Sequence, residues 1–301
     1  MPDTRDLALL VGDNPFHGVS HLSQERGRVR GANVLLPEYA AKLVMTAVEN
    51  GANGFMFSVS EKTLSILRLI RQNEKISKLR LYALVPYAYD YVRLANRLGG
   101  ISGLARNVAK QIALSGNVSA MALGLKGLIT MDPVTLMKTY LKYEVSRIRS
   151  SAGEAGLLDS VFLHEVITDM SLALELRWLF ESYIKFMLRL GIRPGFETRN
   201  FAYLVRKFKE WDLDFDKLVI ASPFNKIGFQ MNPSKEDCEE ALATLSKPTV
   251  VAMSILAAGY FRPSEAMDYL LDLPNLAGVV VGVSNERQAV ETFRNFKIKS
   301  Y

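Results

Sequence analysis

The sequence predicts an α/β chain folded as a (β/α)8 barrel with a helical insertion after its third strand. Three observations lead there. Eight short apolar runs alternate with longer helical patterns along 301 residues. The runs are continuously apolar rather than alternating, as strands buried on both faces are. The first run leads into Asp13-Asn14-Pro15, without the G-x-G-x-x-G turn of a doubly wound nucleotide-binding sheet, which is the runner-up architecture. A chain of this length can bury one large core, so residues 1–301 read as a single barrel domain.

The first strand is LALLV (7–11), and its polar continuation GDNPFHGVSHL carries two of the three histidines. A helix follows over 37–51, where Pro37 suits a first turn and Gly51 a terminus. GFMFSV (54–59) and LRLYALV (79–85) are the second and third strands. The fourth, SVFLH (160–164), comes about seventy residues later, where a barrel ordinarily needs one helix. The helix opened by Asp132-Pro133 is the natural third barrel helix, which leaves residues 87–131 as a helical insertion on the C-terminal side of the third strand. A lid over the mouth and an oligomer contact are both open readings of it. One long helix is expected over 167–191, then the strands PGFET (194–198) and LVIA (218–221). A helix over 232–246 has near capping-box spacing at Ser234 and Asp237. TVVAM (249–253) and GVVV (278–281) complete the strands.

Composition narrows the function classes. The net charge is +6, from 37 Lys+Arg against 31 Asp+Glu. The basic residues are interspersed with acidic ones, which favours anionic small molecules over nucleic acid as partners. Cys238 is the only cysteine, so no internal disulfide can form, and its acidic setting SKEDCEE should make the thiol inert. The longest uncharged run, QIALSGNVSAMALGL, has 15 residues, short of the ~20 of a membrane span. The N-terminus is too polar for a signal peptide, and a cytoplasmic location is expected.

In a barrel the residues just past each strand's C-terminal end share one mouth. The first strand delivers Asp13, Asn14, His17 and His21; the fourth, His164 and Glu165; the fifth, Glu197 and Arg199. Asn225 and Lys226 follow the sixth, Ser254 the seventh, and Ser284, Asn285 and Arg287 the eighth. All three histidines thus fall at one end. His164, Glu197 and Glu165 are the catalytic candidates, since imidazole titrates near neutral pH and a carboxyl inside an apolar strand is costly unless paired. Adjacent strand residues alternate, so His164 and Glu165 are not expected to face the centre together. His17 and His21, with a carboxylate, are the candidate ligands of a divalent metal. Asn14, Arg199, Asn225, Lys226, Ser254, Ser284, Asn285 and Arg287 are candidate contacts for an anionic or phosphorylated substrate. Asn285 and Gln288 have the spacing of a helix start, where a phosphate can bind.

The stretch KPTVVAMSILAAGYFRPSEAMDYLLDLPNLAGVVVGVSNERQAVETF resembles the C-terminal part of the aldo/keto reductases, and DSVFLHE is similar to that family's fourth strand. GANGFMFSVSEKTLSILR looks like its second strand and the following helix. The resemblance implies a TIM-type barrel and places His164 at the family's catalytic histidine. The other three catalytic positions depart: Met56 stands where the family has aspartate, Val85 near its lysine, and its tyrosine segment is missing between Ser58 and Glu61. Tyr82, Tyr87 or Tyr89 would have to supply the acid.

The functional expectation is a small-molecule enzyme performing acid–base chemistry, with or without a metal, on an anionic substrate. A divergent NAD(P)H-dependent oxidoreductase is the second expectation. A non-catalytic ligand-binding or assembly protein on the same fold, as a homo-oligomer or not, is the third.

Overall fold

In a computed structural model, residues 7–18, 32–73, 79–86, 110 and 132–300 are described. Eight parallel strands close into a barrel in sequence order. They are β1 (Ala8–Gly12), β2 (Gly54–Ser58), β3 (Leu79–Val85), β4 (Gly156–Leu163), β5 (Arg193–Glu197), β6 (Val219–Pro223), β7 (Val250–Met253) and β8 (Leu276–Gly282). Each overlaps an expected apolar run, with β4 starting four residues earlier than expected. β8 pairs with β1 through Ala8–Gly278 to Gly12–Gly282, so no sheet edge is left open. The expected insertion at 87–131 lies outside the described residues except for Lys110.

The helices follow their strands: α1 (Pro37–Glu49), α2 (Glu61–Ile70), α3 (Pro133–Ala152), α4 (Glu165–Ala173), α5 (Arg177–Arg189), α6 (Phe201–Glu210), α7 (Lys235–Ala243), α8 (Pro263–Leu271) and α9 (Glu286–Ser300). Their starts have the chemistry read from the sequence. Asp132 accepts from the backbone N–H groups of Val134 and Thr135 at the head of α3, and Ser234 accepts from Asp237 at the head of α7. The single helix expected over 167–191 is instead two. Glu175 takes a left-handed φ of 52°, and Leu176 N–H turns back to the Ser171 carbonyl at 2.9 Å. No glycine or proline marks this break, so the apolar periodicity runs through it. Among the described residues no helix is long and apolar enough to cross a membrane.

Two apolar layers result from strand alternation. The larger lies between sheet and helices and includes Leu9, Val11, Phe55, Phe57, Phe180, Phe196 and Phe208. The smaller fills the barrel itself: Ala8, Leu10, Met56, Tyr82, Leu84, Phe162, Val219, Ala221 and Val251. The barrel is therefore a packed core, and chemistry is confined to its ends. Below this plug, Asp159 pairs with Arg80 at 3.5 Å and with Arg193 at 2.5 Å. Tyr82 belongs to that lower end, because Asp159, Arg80 and Arg193 are the charged groups that act on its hydroxyl. It cannot act as the acid at the mouth. Tyr87 and Tyr89 lie outside the described residues.

Phe162 fits inside because its neighbour on β5 is Gly195. A Cβ there would meet the Phe162 ring at 2.6 Å, closer than carbon atoms approach without displacement. Gly195→Ala should therefore cost about 1–3 kcal/mol by overpacking, read as a lower Tm with unchanged far-UV circular dichroism. An unchanged Tm would show that the interior is looser than described.

Candidate active site

The mouth is assembled from the ends of β1, β2, β4 and β5. Past β1 the chain enters a short 3-10 turn, Asn14–His17, which closes with Gly18 at φ 71°. Pro15 folds over the end of β8 so closely that a Cβ on Gly282 would meet its ring at 2.7 Å. This turn sets Asp13 and His17 side by side, with Nε2 of His17 donating to Oδ2 of Asp13 at 3.1 Å. The same carboxylate oxygen accepts the Ser58 N–H at the end of β2 at 2.7 Å. Lys62 at the start of α2 donates to the Phe16 carbonyl at 3.0 Å, fixing the turn from the other side. Both side chains of the pair are largely withdrawn from water, at 9% exposure for His17 and 7% for Asp13.

The second half comes from β4 and β5. β4 ends at Leu163, and His164 is the N-cap of α4, its Nδ1 accepting the Val166 N–H at 3.3 Å. A neutral ring bonded this way carries its proton on Nε2. That nitrogen lies 4.0 Å from Oε2 of Glu197, the last residue of β5. Oε2 also accepts the Glu165 N–H at 3.2 Å, and the Glu165 carboxylate pairs with Nε of Arg199. His164, Glu165, Glu197 and Arg199 thus form one cluster. The strand stops at Leu163, one residue earlier than expected, so His164 caps the helix that Glu165 begins. A helix start, not a pleat, orients both.

Behind the cluster sits Asp169, one turn beyond Glu165 on α4. It accepts from the Thr198 hydroxyl, from Arg199 N–H at 3.3 Å and from the Asn200 amide at 2.9 Å. It ties the chain after β5 to α4 and so holds Glu197 and Arg199 in place. Asp169 was not among the expected site residues; its spacing of four from Glu165 in a helix was the signal.

Electrostatics separates the groups. Burial pushes the Glu197 carboxyl up to about 8, reinforced by the negative charges of Glu165 and Asp13 and opposed by the Glu165 N–H and Arg199. Burial pulls His164 below its ordinary value, with Arg199 acting the same way and Glu165 and Asp13 against. At neutral pH both groups are uncharged and both hold a proton. Asp13 acts on both, which places the β1 pair within electrostatic range of the β4–β5 pair.

The remaining candidates lie around this centre. Asn225 is fully buried, and its amide is spent on its own turn, donating to the Phe229 carbonyl at 2.8 Å and accepting the Phe229 N–H at 2.8 Å. Lys226 and Asn14 are exposed. Ser254 takes a left-handed φ of 52° and bonds Gln230 at 3.3 Å. At the start of α9, Asn285 accepts the Gln288 N–H at 2.9 Å, and the Gln288 side chain accepts from Ser284 at 3.0 Å. Arg287 there pairs with Glu291. Among the described residues no three His, Cys, Asp or Glu side chains are grouped to hold a metal ion; His21 lies outside them. Cys238 is buried, and burial pushes its thiol up to about 11, as its acidic surroundings also do. This fits the inert reading.

No protein-family model matches the chain, and no curated protein matches its sequence. Solved structures do match its fold. A crystal structure of a "putative aldo-keto reductase" from Pseudomonas aeruginosa superposes with a TM-score of 0.55 at 14% identity, covering 97% of this chain and 90% of that one. A second structure of the same description gives 0.55 at 13% identity with the same coverage. The fold is a closed (β/α)8 barrel, and its likeness to these structures is a likeness of fold.

A carboxyl whose folded pKa lies above its unfolded value stabilises the protein fully at pH values below the unfolded value, and this contribution is lost as pH rises through about 8. Thermal unfolding at pH 5 and pH 9 should therefore show wild type losing stability relative to Glu197→Gln as the pH rises. Parallel losses in both proteins would mean that Glu197 is ionised across the range.

Proposed function

We propose that the protein is an enzyme performing acid–base chemistry on a small anionic substrate at the barrel mouth, with His164 and Glu197 as its proton donors. The observation that carries this reading is the pairing, 4.0 Å apart, of two buried groups that are both neutral and protonated near pH 7. An oxygen atom of a substrate set between them would accept a hydrogen bond from Nε2 of His164 and a proton from Glu197 as negative charge develops. Glu165 has two roles: its N–H fixes one oxygen of Glu197, and its carboxylate orients Arg199. The guanidinium edge of Arg199 beyond Nε, together with exposed Lys226, suits the anionic end of the substrate. The start of α9 is a further anion contact, and the charge of Glu286 there is balanced by Lys42 at 2.7 Å.

An NAD(P)H-dependent oxidoreductase is the second reading. Its support is the likeness of the barrel to structures described as aldo-keto reductases, and the same two donors would polarise a carbonyl receiving hydride. In that case the start of α9 takes a cofactor phosphate.

The test is turnover of a panel of phosphorylated carbonyl and hydroxy compounds, run beside a fluorescence titration with NADPH. Glu197→Gln should lower kcat by about 100-fold or more, and wild-type kcat should fall above about pH 8 as the Glu197 proton is lost. Arg199→Met should raise KM about 10-fold with a smaller effect on kcat. A fluorescence change at micromolar NADPH, with oxidation coupled to turnover, would move the assignment to the second reading. Full activity in Glu197→Gln would overturn both.

A further inference from the structure

The proton donors occupy one side of the mouth, and the strand order says what stands across from them. In a closed barrel of eight strands taken in sequence order, β8 lies opposite β4 and β1 opposite β5. Side chains two apart on extended chain share a face. Phe162 belongs to the barrel interior, and His164, extended at φ −59° and ψ 147°, continues that inward row. A Cβ on Gly195 would meet the Phe162 ring, so Glu197, two residues on, faces inward as well.

The inward surface on the other side is apolar and open. Met253, the last residue of β7, and Val280, two residues before the end of β8, pack on the interior cluster but stay only partly buried, whereas the other side chains of that cluster are buried. Ala252 pairs with Val279, so Met253 and Val280 are next in register and lie side by side. Both point away from the helix layer, and their exposed surface therefore faces the mouth. Glycines keep this wall uncovered. Gly12 and Gly282 pair at the ends of β1 and β8, and a Cβ on Gly12 would stand 3.1 Å from Cγ2 of Val280.

Apolar surface left open inside a barrel, opposite buried polar groups, has the make-up of a small-molecule cleft. We infer that Met253 and Val280 form an apolar subsite, and that the substrate is a short carboxylic acid bearing a carbonyl or hydroxyl group and an aliphatic side chain. This rests on the acid–base reading, which sets the carbonyl or hydroxyl oxygen between His164 and Glu197. The carboxylate follows from Arg199. Its Nε donates to Glu165 and its backbone N–H to Asp169, and no acceptor among the described residues meets Nη1 or Nη2. Those two groups form a planar fork that a carboxylate matches. Glu165 already balances the charge of Arg199, so this corner suits one negative charge better than the near-dianion of a phosphate. The aliphatic side chain then lies on Val280 and Met253.

The experiment is isothermal titration calorimetry at pH 6, where Glu197 holds its proton, with straight-chain 2-oxo carboxylates from pyruvate to 2-oxohexanoate. Wild-type affinity should rise about 3- to 4-fold per added methylene, with an increasingly negative heat-capacity change. Val280→Thr keeps the volume but adds a hydroxyl, and should flatten that rise. Met253→Ala should move the tightest binding to a longer member. Arg199→Met should weaken every member by a similar factor, about 10-fold. Thermal unfolding of each variant separates loss of the fold from loss of the subsite. An affinity that does not change along the series, or a rise that Val280→Thr and Met253→Ala both leave intact, overturns the subsite. Turnover of phosphorylated compounds without binding of any 2-oxo carboxylate overturns the substrate class and leaves the acid–base reading standing. Full activity in Glu197→Gln beside an intact chain-length rise overturns the acid–base reading and leaves the subsite in place.

Discussion

A carboxyl group kept out of water at the end of a barrel strand is the constraint around which the mouth is organised. Glu197 is the last residue of β5, and its side chain is only 13% exposed. Ionisation there would set its charge beside those of Glu165 and Asp13. The surroundings meet that difficulty by keeping it protonated rather than by giving it a direct cationic partner. Arg199, whose guanidinium acts on it, is instead committed to Glu165. Removal of water from the centre also depresses His164, so one physical cause sets the protonation of both groups. The rest of the local architecture serves this arrangement: α4 begins at His164, Glu165 gives its N–H to Glu197, and Asp169 locks the chain that follows β5.

The packed interior explains why such a site can be placed accurately. Tyr82, Phe162 and Met56 fill the barrel below it, and the Asp159–arginine cluster closes the far end. Strand ends above a solid core are rigid supports, and packing that leaves no room for a methyl group between Gly195 and Phe162 gives them little freedom to shift. The turn after β1 is more elaborate. It has no pleat to position it, and it relies on Pro15 against Gly282, Lys62 on a carbonyl, and Asp13 on Ser58 N–H.

The barrel was legible in the sequence because buried parallel strands leave continuous apolar runs, and LRLYALV matches β3 residue for residue. The placement of His17, His164 and Glu197 at one end followed from strand order alone. What could not be read was anything set by a boundary of one residue. The end of β4 at Leu163 turned His164 from a strand residue into a helix cap, and so brought Glu165 into the cluster. The break at Glu175 has no compositional marker, and the direction of Tyr82 depends on which barrel layer it enters. The roles of Asp13 and Asp169 depend on backbone N–H groups 45 and 30 residues away, contacts that no local pattern encodes.

The account turns on the protonation of one side chain. Carbon-13 NMR of glutamate carboxyls, with Glu197 assigned by comparison with Glu197→Gln, tests it directly in the free protein. The Glu197 carbon should keep the chemical shift of a neutral carboxyl at pH 6 and move to that of a carboxylate with a midpoint near pH 8. A midpoint in the ordinary range of glutamate, about 4 to 5, would contradict the account, because the mouth would then hold a carboxylate where a proton donor is required.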